Sequence, residues 1–220
     1  CGYPFIIGLK LPADDGVVGG IDMSEASAIA NRLAEQRSEF DSWTWAWGSH
    51  ARSLYKHLPD AHGKRHPYLD HIAELRKIAP EVATGGIGYI TDPNECETAL
   101  TNGTADIVFL GRPLITDPSF PNKSKVGREA DIRYCVACNT CWRSIINGAG
   151  LACDNNPRVG SADEHDWQPV QVSVPKQVVV VGTGVAALEA AHTAARRGHS
   201  VTVLGDSARI GGKTLLHAGL

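Results

Sequence analysis

The sequence predicts an α/β protein: the C-terminal half of a closed TIM (β/α)8 barrel, a cysteine-rich segment, and the start of a Rossmann-like nucleotide-binding domain. Three observations predict it. Strand-like and helix-like segments alternate through the first half, four cysteines crowd between residues 135 and 153, and a run of valines near the C-terminus leads into a glycine turn.

Taken in order, Phe5–Leu11 reads as a buried strand, and Ser24 as the cap of a helix reaching about Phe40 with Ala28, Ile29, Leu33 and Ala34 at helical spacing. Ser42–Trp47 follows as a strand, Tyr68–Ile78 as an amphipathic helix, and Glu81–Thr84 as a short strand ending in Gly85-Gly86. Asp92-Pro93-Asn94-Glu95 is a helix start with an Asp cap, Pro at the first helical position and Glu placed for a capping box. That helix stops near Gly103, and Ala105–Leu110 is a further strand ending in Gly111-Arg112. Four such β–α units make half of a barrel that needs eight. A polar stretch from Gly160 to Pro175 reads as a linker. Beyond it, Lys176–Val181 is a strand, Val185–Arg197 a helix with Gly198 at its end, and Ser200–Leu204 a second strand, the opening β–α–β of a dinucleotide fold. The expected divisions are 1–130 for the half-barrel, 131–160 for the cysteine segment, 161–175 for the linker and 176–220 for the nucleotide domain.

Composition narrows the function classes. Hydrophobic residues make up 43% and charged residues 20%, and the net charge of −3 is spread without a basic stripe, so nucleic acid and anionic membrane surfaces are not expected partners. The longest apolar run, Val178 to Ala191, is interrupted by Gly182, Thr183, Gly184 and Glu189 and is too short to span a bilayer. Residue 1 is Cys and no leader pattern follows, so the expectation is a cytoplasmic protein.

Cys135, Cys138, Cys141 and Cys153 read C-x2-C-x2-C-x11-C; Cys1 and Cys96 stand apart. Thiols three residues apart let one turn wrap three corners of a cubane, and the distant fourth closes it, which points to a [4Fe–4S] cluster. Zinc more often uses two separated pairs, and disulfide frameworks are usually spread over small secreted chains; both remain as alternatives. In the C-terminal turn, Gly182 permits a tight bend, Gly184 a close approach of backbone to a pyrophosphate, and Ala187 close helix–strand packing. The second strand lacks the usual terminal acid for ribose hydroxyls: Gly205 stands there, and Asp206 is its candidate substitute. Gly85-Gly86 and Gly111-Arg112 end strands where barrel phosphate sites commonly form, and backbone amides with one guanidinium suit the phosphate of FMN. The bland alternative is that these glycines simply end strands. Trp43, Trp45 and Trp47 alternate on one strand and so share a face, either packed in the core or forming an aromatic wall for a cationic amine. Of His50, His57, His62 and His66, at most two are expected to donate protons or bind an anionic group.

In order, the segments FIIGLKLPADDGVVGG (5–20), TGGIGYITDP (84–93), ADIVFLGRPLITDP (105–118), RYCVACNTCW (133–142), ACDNNPRVG (152–160), VVVVGTGVAALEAA (178–191) and RRGHSVTVL (196–204) span almost the whole chain. With them the chain resembles the iron–sulfur flavoproteins of the old yellow enzyme class, a group that includes trimethylamine dehydrogenase, 2,4-dienoyl-CoA reductase and amine N-demethylases. The resemblance implies an FMN-bearing TIM barrel, a [4Fe–4S] loop and a nucleotide domain binding FAD or ADP. It implies that Lys10, on the fifth barrel strand, lies near the flavin pyrimidine, where a cation stabilises charge on reduced flavin. It also implies that Gly85, Gly86, Gly111 and Arg112 hold the FMN phosphate. By the same resemblance barrel strands one to four precede Cys1, and the chain is a fragment expected to fold poorly and to lack activity by itself.

The expected function is that of a flavin-dependent iron–sulfur oxidoreductase, with the tryptophan strand favouring oxidative N-demethylation of a methylated amine over NAD(P)H-dependent reduction of an enoyl or dienoyl thioester. Its expected partners are a small-molecule substrate and an electron-transfer protein or NAD(P)H, with self-association left open. A non-catalytic iron–sulfur electron-transfer subunit and a zinc-stapled binding module are the competing classes.

Overall fold

In a computed structural model that describes residues 5–36, 39–165 and 168–217, the chain divides into two compact units, Cys1–His165 and Asp166–Leu220. Cys1, residues 37–38 of the expected first helix and residues 166–167 of the expected linker lie outside the described residues.

In the first unit, β1 (Gly8–Asp14), β2 (Ser42–Trp47), β3 (Ala83–Gly86) and β4 (Ile107–Val108) form one sheet in the order β1-β2-β3-β4. Every pair is parallel, with Leu9 opposite Trp43, Trp43 opposite Thr84 and Gly85 opposite Ile107. Each strand lies beside its predecessor, as in a wound barrel; a doubly wound sheet would reverse direction at its switch point. The crossovers carry α1 (Met23–Ala34), α2 (Leu54–His57), α3 (Leu69–Arg76) and α4 (Pro93–Thr101). After β4 come α5 (Arg112–Thr116), α6 (Phe120–Lys125) and α7 (Thr140–Ile146).

Several expected boundaries shift. β1 runs to Asp14 through Pro12, and Phe5 and Ile6 lie outside it, exposed. Pro12 is accepted where the ladder between β1 and β2 is irregular, between Pro12 and Asp14. Asp22 caps α1 in place of Ser24: its carboxylate accepts from Ser24 N at 2.9 Å and Glu25 N at 3.0 Å, and the helix ends at Ala34. The start of α4 is as the sequence predicts, with Pro93 in the first turn, Asn94 N donating to Asp92 Oδ1 at 2.8 Å and Asp92 N donating to Glu95 Oε2 at 3.1 Å. β4 is shorter than Ala105–Leu110, although Asp106 N–H to Thr84 O and Phe109 N–H to Gly86 O, both 2.8 Å, keep the flanking chain alongside β3.

The core lies between the sheet and its helices. Trp43 and Trp45 point into it with Ala26 and Ala30 of α1 and Ile72 and Leu75 of α3, all essentially inaccessible to solvent. On the opposite face of β2, Thr44 Oγ1 donates to Gly85 O at 2.6 Å.

The second unit contains β5 (Gln177–Val181), α8 (Val185–Arg196), β6 (Ser200–Leu204) and α9 (Thr214–His217). β5 and β6 pair in parallel over five residues, Gln177 opposite Ser200 through Val181 opposite Leu204. Gly198, at φ +95°, donates to Ala195 O at 2.9 Å and closes α8, since only glycine takes that conformation without strain.

Candidate functional site

The four predicted cysteine ligands converge. Cys135, Cys138, Cys141 and Cys153 border one hollow, together with Arg112 and Thr116. Two left-handed residues make this possible: Ala137 at φ +52° and Asn139 at φ +59° reverse the chain between successive thiols, so short spacings return to the same side. Ala137 N donates to Cys135 Sγ at 3.4 Å, and Thr116 Oγ1 lies 3.5 Å from Cys153 Sγ. Burial pushes the Cys141 thiol up, with Arg112 pulling against it. Among the described residues no three His, Cys, Asp or Glu side chains close on a single ion. Soft thiols standing around a shared hollow fit a cluster, whose irons would fill the space between thiolates.

Arg112 also borders a second hollow, at the C-terminal ends of β3 and β4. Its basic walls are Lys10, His57 and Arg112, three donors that suit an anion. Gly111 opens this hollow, with free space where a side chain would stand. Gly85 and Gly86 are placed differently, inside β3 and buried; a Cβ on Gly85 would overlap the Phe109 ring. After β3 the glycine that borders the hollow is Gly88, at φ +103° against the Tyr68 ring, a position not singled out from the sequence although it completes the run Gly85-Gly86-Ile87-Gly88.

The turn after β2 is built on Gly48, whose φ of +72° brings its α-carbon so close to α2 that a Cβ would stand 2.5 Å from His57 N. Ser53 locks the turn, accepting from Ser49 N at 2.7 Å and donating to Asp15 O. The result is a histidine pair: His50 Nε2 and His57 Nε2 are 2.8 Å apart, and the His50 ring meets the Trp142 indole edge-on at 5.5 Å. Burial, then His50, then Lys10 lower the His57 pKa. His62 and His66 stand elsewhere, and His66 reaches Glu95 at 3.1 Å.

The aromatic wall is not formed by the tryptophans as a set. Trp43 and Trp45 face the helices and fill the core, because the inward face of β2 belongs to Thr44 and Ala46. Trp47 is half-buried, edge-on to Tyr68 and His71 with Lys56 above its ring at 4.9 Å.

In the second unit, Gly182 bends at φ +124° and donates to Leu204 O at 2.7 Å. A Cβ there would meet Ala187 at 3.4 Å, so the small Ala187 lets α8 sit close on the turn. Gly184 caps α8 and, with Gly211 and Lys213, borders an open hollow at the helix N-terminus. Asp206 is exposed. Gly205 has a steric reason, since any Cβ there would overlap the Thr183 side chain.

A parallel sheet wound in sequence order, with a helix in each crossover, defines part of a (β/α)8 barrel. The profile of the NADH:flavin oxidoreductase / NADH oxidase family matches residues 2–131, and the chain belongs to that family. The pyridine nucleotide-disulphide oxidoreductase profile matches residues 177–215. Similar curated proteins include an NADH oxidase of Thermoanaerobacter brockii, 31% identical over 96% of this chain and 32% of its own length. A probable N-methylproline demethylase of Rhizobium meliloti is 33% identical over 99% of this chain and 32% of its own length. The chain thus spans about a third of these relatives. The structure of histamine dehydrogenase from Rhizobium sp. 4-9 superposes with a TM-score of 0.79 at 24% identity, covering 94% of this chain and 30% of that one. Among the described residues no helix is long and apolar enough to cross a membrane.

Proposed function

We propose that this chain supplies the phosphate side of an FMN site and the thiolates of a [4Fe–4S] cluster in a cytoplasmic oxidoreductase that demethylates a methylated amine. The observation that carries this reading is the position of Arg112, which borders both the thiol-lined hollow and the cationic hollow at the strand ends. FMN would supply hydride chemistry and the cluster single-electron transfer to or from a partner protein. Around them, Gly111 and Arg112 receive the phosphate, with Gly88 beside them, while Gly85 and Gly86 shape the strand end. Lys10 supplies positive charge near the flavin pyrimidine. Cys135, Cys138, Cys141 and Cys153 are the ligands. His57, hydrogen-bonded to His50, stands at the wall of the cationic hollow, where it can exchange a proton with a substrate nitrogen or carbonyl. Gly182, Gly184 and Ala187 receive the pyrophosphate of FAD or ADP, with Asp206 nearest to the ribose position.

The demethylase version is supported by the similar N-methylproline demethylase, and no longer by Trp43 and Trp45. The second reading is NAD(P)H-dependent reduction of an enoyl or dienoyl substrate, and the similar NADH oxidase supports its reductant. Metal, acid-labile sulfide and flavin analysis of the holoprotein, followed by anaerobic reduction, separates these readings. Flavin with iron and sulfide, and bleaching by N-methylated amines, is the expected result. Bleaching by NAD(P)H and by no amine overturns the demethylase version; zinc without sulfide overturns the cluster.

A further inference from the structure

Arg112 is held before any anion arrives. Its Nη1 donates to Pro59 O at 2.6 Å and to Asn139 Oδ1 at 2.5 Å. Asn139 in turn donates through Nδ2 to Leu58 O at 3.2 Å. One amide therefore joins three segments: the end of β4 through Arg112, the end of α2 through Leu58 and Pro59, and the cysteine loop, where Asn139 sits between Cys138 and Cys141 as the cap of α7. Leu58, Pro59 and Arg112 border the cationic hollow, whereas Asn139 and Arg112 border the thiol hollow. The two bonds use the Nη1 hydrogens and leave the rest of the five-donor fork for an anion.

We propose that Asn139 is a positioning residue that couples the two cofactor sites: through Arg112, an ordered cysteine loop strengthens flavin-phosphate binding, and bound flavin phosphate steadies the cysteine loop. Resting on the FMN and cluster reading above, the proposal has a simple physical origin. An arginine side chain is rotamer-rich, and its guanidinium binds an anion more tightly when already fixed. The fixing amide is itself in place only while the loop holds its left-handed turn at φ +59°. Binding linkage is reciprocal, so each cofactor raises the equilibrium affinity of the other by the same factor.

The test uses the holoprotein. In the wild type, the rate of iron loss to a chelator is measured with FMN bound and after FMN is removed; bound FMN slows it. Asn139→Gly keeps the positive φ while deleting the amide, and Asn139→Asp keeps the acceptor for Arg112. With cluster content equal by iron and sulfide analysis, Asn139→Gly binds FMN about 5- to 150-fold more weakly, the usual range of such coupling, and Asn139→Asp recovers most of that loss. FMN no longer slows iron loss in Asn139→Gly. If FMN affinity in Asn139→Gly stays within about twofold of wild type, or if FMN leaves iron loss unchanged in the wild type, the coupling is refuted while the FMN and cluster reading stands. A wild-type holoprotein without flavin or without iron and sulfide overturns both.

Discussion

At His57, burial, the adjacent His50 ring and the Lys10 ammonium all favour the neutral imidazole, so its folded-state pKa lies below the ordinary value. Between that lowered value and about pH 6.5, the unfolded chain therefore binds more protons than the folded one. Stability conferred by neutral His57 is fully present above about pH 6.5 and declines as pH falls through that window. Thermal unfolding of wild type and His57→Gln at pH 7.5 and 5.5 should show the larger acid-side loss in the wild type, and equal losses would remove His57 from the account. Gly205 makes a second residue-scale case. Its missing Cβ leaves room for Thr183, whose branched side chain cannot withdraw far, so Gly205→Ala should cost about 1–3 kcal/mol and Thr183→Ala should relieve it in the double variant. Additive losses in denaturant melts would show that the two do not share the space. The missing acid at Gly205 is legible in the sequence but its cause is not, because the overlap involves a residue more than twenty positions away.

At the scale of elements, local signals were legible and facing was not. Asp92, Pro93 and Glu95 specify the start of α4 through bonds to their immediate neighbours, and Ser42–Trp47 is a strand with the expected limits. Alternation along β2 shows that the three tryptophans share a face; which face meets α1 and α3 depends on the crossovers, which a period of two residues does not encode. The same strand offers a sharp contrast. Trp43 Nε1 donates to Thr84 Oγ1 at 2.9 Å, whereas buried Trp45 Nε1 has no partner among the described residues. Phenylalanine removes similar volume at both positions, but at 43 it also breaks a buried hydrogen bond, and at 45 it removes a buried unsatisfied donor. Trp43→Phe should therefore destabilise by about 1–3 kcal/mol more than Trp45→Phe in chemical denaturation of the holoprotein. The reverse order would mean that packing at Trp45 outweighs the polar difference.

Across the molecule, the cysteine spacing picked out four thiols that border one hollow, but not what holds the loop against the barrel, since those anchors lie far apart in sequence. Asp117, 4% exposed, accepts from Lys123 Nζ at 2.5 Å and Arg133 N at 3.0 Å, pinning the entry to the loop. Asn156, 2% exposed, pins the exit by donating to Ile115 O and Glu164 Oε1, both at 2.8 Å. Between the anchors the chain has little apolar burial: Val136, Ile145, Ile146 and Leu151 are exposed. If the four thiols hold the proposed cluster, the segment from Cys135 to Cys153 gains its order from that ligand, whereas its flanks depend on the barrel. Removal of iron by a chelator should abolish hydrogen-exchange protection at residues 135–146 while leaving β2, β3 and the chain around Asp117 and Asn156 protected. Amides of β5, α8 and β6 should keep their protection as well, because the second unit has its own internal ladder. Loss of protection throughout β1 to β4 on iron removal would show instead that the cluster holds up the half-barrel itself, and unchanged protection at 135–146 would show that Asp117 and Asn156 suffice to order the loop without metal.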